Sequence, residues 1–198
     1  MSEFAAYFSL GFDHISDLTA YDHILFIVAL TAVYQVKDLK KIAILVTAFT
    51  IGHSITLALA TLGLVILPSD VIEFLIPVTI ALTCIYNVSS KENDTTLLTR
   101  KQSYHFNYAI ASVFGLIHGV GFSNYLRMLL GREESIVTPL LSFNIGLEIG
   151  QLLIVAVILS TMIIFQRVFF VSSRAWNLFV SGAAFGISVI LMAETKFW

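Results

Sequence analysis

The stretch "GFDHISDLTAYDHILFIVAL", Gly11 to Leu30, decides how this chain is read. Its second half is pure hydrocarbon in character, yet its doorway holds His14, Asp22 and His23. Two imidazoles and a carboxylate at the mouth of an apolar run demand a reason, and the rest of the chain supplies the setting.

Hydrophobic residues make up 58% of the 198 and charged residues only 12%, with a mean hydropathy of +0.89. A soluble domain carries about 25% charged residues, so this chain cannot clothe a water-facing surface. Several runs approach the roughly 20 apolar residues that a bilayer core requires. Little sequence is left outside them, which predicts one transmembrane domain over residues 1–198. The net charge of −2 and the lack of any basic block argue against nucleic acid as a partner. Cys84 is the sole cysteine, so no intrachain disulfide forms. No Lys or Arg occurs in the first thirteen residues, which speaks against a cleaved signal peptide.

Apolar runs between charged or turn-forming breaks predict an all-α integral membrane protein, a bundle of about six transmembrane helices. The runs are Tyr21 to Val36, Ile42 to Leu64, Val71 to Val88, Phe106 to Leu126, Val137 to Phe165 and Ala175 to Ala193. Glu3 to Phe12, rich in Phe and Tyr, reads as an N-terminal interfacial helix leading into the short first run. The polar stretch "SSKENDTTLLTRKQSYH" reads as a loop with a solvated His105. Orientation follows from basic residues in the flanking loops. Lys37, Lys40, Lys41, Lys91, Arg100, Lys101, Arg167 and Arg174 fall on one side, against Arg127, Arg132 and Lys196 on the other. That asymmetry predicts basic loops in the cytoplasm and both termini outside it.

Depth along each run can then be assigned at 1.5 Å per residue. His53 lies eleven residues past Ile42, His118 twelve past Phe106 and Glu148 eleven past Val137, which puts each roughly 16–18 Å from its starting surface. Asp22 and His23 open the first run, with His14 just before them, whereas Asp13 and Asp17 read as caps or water-facing residues. Four runs therefore bring ionisable groups to one stratum in the outer half of the bilayer. Each costs roughly 2.5–3.5 kcal/mol or more there, and such residues mark sites or pathways. Single intramembrane histidines also serve as contacts between helices, but five ionisable groups at one depth would be a costly adhesive.

On the fifth run Asn144, Glu148 and Gln151 share one helical face, with Gly146 and Gly150 on roughly the opposite face. Gly115/Gly119 and Gly182/Gly186 repeat that glycine spacing, which suits close helix contact, including contact within a homo-oligomer. Imidazole with carboxylate suits Zn, Ni, Co, Cu or Fe rather than Mg or Ca. Asp22, Asn144 and Gln151 are candidates to hold the far nitrogens of ligating imidazoles. No nucleotide-binding loop is present.

The segments "HISDLTAYDHILFIVAL", "FTIGHSITLAL", "FGLIHGVGF" and "FNIGLEIGQ" resemble, in order and spacing, the HupE/UreJ family of small bacterial membrane proteins. That family is linked to hydrogenase and urease gene clusters and regarded as nickel or cobalt permeases. The resemblance implies residence in the bacterial inner membrane and metal-handling roles for His14, Asp22, His23, His53, His118 and Glu148. Better-studied members carry a His-x5-Asp-His signature and paired histidines ahead of a glutamate. Here seven residues separate His14 from Asp22, and "GLIHGVGF" has one histidine, so the chain is similar to the second, less characterised branch.

Two functions from different classes fit these residues. The first is a permease for a divalent transition metal (Ni, Co or Zn), taken from the outer side. The alternative is a zinc-dependent intramembrane hydrolase acting on a lipid or membrane peptide, with His23, His53 and His118 on one zinc and Asp22 or Glu148 activating water. A purely structural subunit is a third reading. The inner half of the runs offers few obvious polar residues for an ion path.

Overall fold

The computed structural model describes residues 2–89, 97–130 and 135–198, and every regular element among them is helical. Eight helices follow in order: α1 (Glu3–Ser16), α2 (Asp22–Thr31), α3 (Leu39–Thr61), α4 (Ser69–Ser89), α5 (Leu97–Gly121), α6 (Ser123–Leu130), α7 (Val137–Val168) and α8 (Ser173–Glu194). Lys91 and Arg132 lie outside the described residues, as do the side chains of Arg100, Lys101 and His105.

Local chemistry explains the ends. Ser2 and Ser172 accept the Ala5 and Ala175 N–H groups and so cap α1 and α8. Gly63, at φ +74°, takes the left-handed turn that stops α3. Asp38 closes a capping box with Gln35 and pairs with Lys41, anchoring the 3-10 turn Val36–Asp38 that runs into α3.

Four helices are long and apolar enough to cross a bilayer: α3 with its leading turn, α4, α7 and α8. A fifth crossing arises if residues 107–121 and 123–130 count as one span, bent by 52° at Phe122. The chain is thus an integral membrane protein with four to five candidate spans among the described residues, where the apolar runs suggest about six. The difference lies mainly in the first run. α2 has only ten residues, seven of them buried, and an apolar helix of that length is a core element rather than a full crossing. The polar stretch before Phe106 also departs from its expected loop, because α5 already begins at Leu97.

Glycines set the closest contacts. A Cβ at Gly11 would collide with the Phe143 carbonyl, and one at Gly146 with the Phe8 carbonyl, so α1 lies flush along the first half of α7. Gly52, Gly115 and Gly119 do the same between α3 and α5. Gly182 and Gly186, by contrast, have nothing within 4 Å. α4 pairs with α8, and α2 is wedged among α4, α7 and α8.

One end of the bundle is basic. Lys37 lies in the turn before α3, Lys40 and Lys41 in its first turn and Arg167 at the end of α7, and Arg174 at the start of α8 donates to the Val88 carbonyl near the end of α4. The other end holds the α3–α4 turn, α6, the start of α7 and the end of α8. The histidines lie nearer this second end.

Candidate metal centre

The site forms where α1 stops and α2 starts. His14 occupies the last turn of α1, and a helix C-terminus favours positive charge. Asp22 and His23 open α2, His53 projects from α3 and His118 from the last turn of α5. His53 is 0% exposed, His118 1% and His23 6%. Ring centroids are 4.6 Å apart for His14–His23, 6.2 Å for His14–His53 and 5.2 Å for His23–His118.

His14, His23 and His53 each present one nitrogen, and the three lie within 4.8 Å of one another. Tetrahedral ligands at 2.0–2.1 Å are roughly 3.4 Å apart, so the rings would close by up to about 1.4 Å around an ion. His118 stands one ring further in, against His23, Phe26 and Phe49. The structure therefore groups His14, rather than His118, with His23 and His53.

Hydrogen bonds define which nitrogens are available. Asp22 Oδ1 accepts the His23 backbone N–H at 2.9 Å and lies 3.1 Å from Nδ1. With the proton on Nδ1, the lone pair of His23 is on Nε2, which is buried without a partner. Asp22 is thus an orienting group behind His23, the relation that fixes tautomer and ring angle in metal sites. The Thr79 hydroxyl donates to the Ile76 carbonyl at 2.7 Å, so its oxygen accepts from His118 Nε2 at 3.3 Å, leaving Nδ1 bare. In all, His14 Nε2, His23 Nε2, both His53 nitrogens and His118 Nδ1 are buried with no hydrogen-bond partner. An unsatisfied buried polar group costs about 1–3 kcal/mol. Four imidazoles, each able to turn one lone pair toward this neighbourhood, fit a cation better than they fit helix adhesion.

Glu148 does not join them. It accepts the Thr47 hydroxyl at 2.6 Å, and Gln151 accepts the Thr50 hydroxyl at 2.8 Å, both across the α3–α7 contact. Asn144, one turn nearer the histidines, lies beside His53 while its amide donates to the Leu140 carbonyl. Thr47, Thr50 and Thr79 carry no motif, and only their position within apolar runs hints at them. Phe122 and Phe143 wall the site, Phe122 centred 4.1 Å from the His14 ring and Phe143 stacked 6.2 Å from His53.

A cavity of about 550 Å³ opens beside His14, bordered by Asp13, Ser16, Asp17, Phe122 and Tyr125. Asp17 accepts both the hydroxyl and the N–H of Thr19, at 2.7 and 2.8 Å. The vestibule is thus acidic, which concentrates cations at its mouth.

Together these features define a helical membrane protein with a candidate polyhistidine metal centre whose His14 borders an acidic vestibule. The chain belongs to the HupE/UreJ family: the family model described as HupE / UreJ protein matches residues 1–197. No curated protein and no solved structure matches it.

Proposed function

We propose that the protein is a permease for a divalent transition metal, nickel, cobalt or a similar ion. His14, His23 and His53 hold the ion in transit, with Asp22 orienting His23 and His118 beside them. The supporting observation is the convergence of three imidazole nitrogens within 4.8 Å, one of them on His14, which borders an acidic vestibule. The family's association with nickel and cobalt transport points the same way, and imidazole is a good ligand for such borderline metals.

In this reading α1 and α2 are two half-helices that make a sixth crossing together, broken at the site. Transporters use such broken helices to bring helix ends to an ion. The basic end faces the cytoplasm of a bacterial inner membrane, both termini lie outside, and the vestibule takes metal from the outer side. Gly182 and Gly186 are the pair left free for contact with a second copy.

Three imidazoles with an open position also suit a catalytic zinc, which keeps the hydrolase as the second reading. Dialysis of detergent-purified protein against a chelator separates the two. A permease releases its metal and stays folded, and His53→Ala abolishes uptake into proteoliposomes while Lys196→Ala leaves it unchanged. Retention of about one zinc per chain through prolonged dialysis would favour the hydrolase.

A further inference from the structure

The histidines occupy one half of the bundle, and what leads onward to the basic end is carried by side chains that belong to no motif. This inference rests on the permease reading and concerns the ion's path beyond His118. α4 carries Thr79, Thr83 and Asn87 at i, i+4 and i+8, on one face. Their exposures are 3%, 8% and 3%. At one end of this file Thr79 touches His118, and the Thr83 hydroxyl donates to the Thr79 carbonyl one turn on. Asn87 follows at about 12 Å from Thr79 along the axis.

There α8 meets the file. Asn87 donates to Ser181 at 3.3 Å, Ser181 donates to Asn177 at 2.9 Å, and Asn177 donates back to the Asn87 carbonyl at 3.0 Å. Asn87 also borders two cavities. One, of about 290 Å³, is walled mostly by apolar side chains such as Leu30, Leu82 and Phe114, with Thr83, Tyr34 and Asn107 among them. The other, of about 210 Å³, includes Asn177, Gln35 and Ser173, where α8 begins.

Polar side chains between membrane helices often serve as adhesive. That accounts for the ring around Asn87, which ties α4 to α8. It does not account for Thr83, whose hydroxyl donates to a carbonyl of its own helix and, among the described residues, joins no other helix, whereas Thr79 reaches across only to His118. Valine would fill the space of Thr83 without any polar group. The hydroxyls are more useful facing the ion.

We propose that Thr79, Thr83 and Asn87 line the second half of the ion's route, from His118 to the basic end, and that the Asn87–Ser181–Asn177 ring is its closure. Neutral hydroxyl and carboxamide oxygens replace part of a hydration shell yet hold a borderline metal weakly, so the ion moves on. Pro77, two residues before Thr79, deprives α4 of one backbone hydrogen bond and marks where the helix can bend to open the ring.

Cobalt(II) is the probe, because its visible spectrum reports imidazole ligation and its entry into proteoliposomes is read by an entrapped chelating dye. Thr83→Val and Asn87→Leu should each lower cobalt flux by about tenfold, the scale of one lost polar contact. Their cobalt spectra and affinities should match the wild type, which also verifies folding. Thr83→Ser should restore the flux. If Asn87→Leu gives no cobalt spectrum, the isosteric Thr83→Val decides. Wild-type flux in a cobalt-binding Thr83→Val variant overturns the route and leaves the permease standing. Failure of the wild type itself to carry cobalt overturns both.

Discussion

At the residue scale, the hydrogen bonds around each imidazole separate ligand from support. Asp22 touches His23 Nδ1 through Oδ1, which leaves the buried Nε2 without a hydrogen-bond partner. Asp22→Asn keeps the shape but weakens the acceptor, and loss of such a partner costs about 10–100-fold in metal affinity. Calorimetric titration with nickel or cobalt checks this; an unchanged affinity would remove Asp22 from the centre. Glu148 tests the opposite case. Because it bonds to Thr47 on the α3–α7 contact, Glu148→Gln should leave equilibrium affinity within about twofold, an effect below 0.5 kcal/mol. A loss comparable to that of His53→Ala would place Glu148 on the ion after all. The sequence indicates both carboxylates as polar intruders at similar depth. It does not tell them apart, since depth follows from counting residues while direction follows from rotation of the helix about its axis.

At the element scale, glycines decide which helices touch. Gly115→Ala and Gly146→Ala would drive a methyl group into the Phe49 and Phe8 carbonyls. Overpacking of this kind costs about 1–3 kcal/mol, and backbone has little room to yield. Gly182→Ala meets nothing, so it should change stability by under about 0.5 kcal/mol in the isolated chain. Unfolding followed by circular dichroism in mild detergent reads both outcomes, and equal effects at Gly146 and Gly182 would contradict this packing. The spacing of these glycines is legible in the sequence, but their partners are not. Likewise the apolar run from Tyr21 to Val36 is visible, whereas its division into a ten-residue buried helix and a turn depends on α4, α7 and α8 enclosing it.

At the scale of the whole molecule, the basic residues converge on one end through α3, α7 and α8, and the vestibule opens at the other. In a Cys84→Ala background, Ser135→Cys should react with an impermeant thiol reagent applied from outside the cell, and Lys40→Cys should not; the reverse pattern would invert the orientation. The sequence by itself determined the helical class, the membrane-spanning runs and the presence of imidazole and carboxylate groups at their ends and within them. Hydropathy and ligand type belong to single residues and short runs, so they are readable without neighbours. Only the tertiary structure decided that His14 joins His23 and His53, that Asp22 stands behind His23, and that Glu148 faces Thr47 instead. Those outcomes depend on how flush α1 lies on α7 and α3 on α5, a matter of contacts between distant segments that no local pattern encodes.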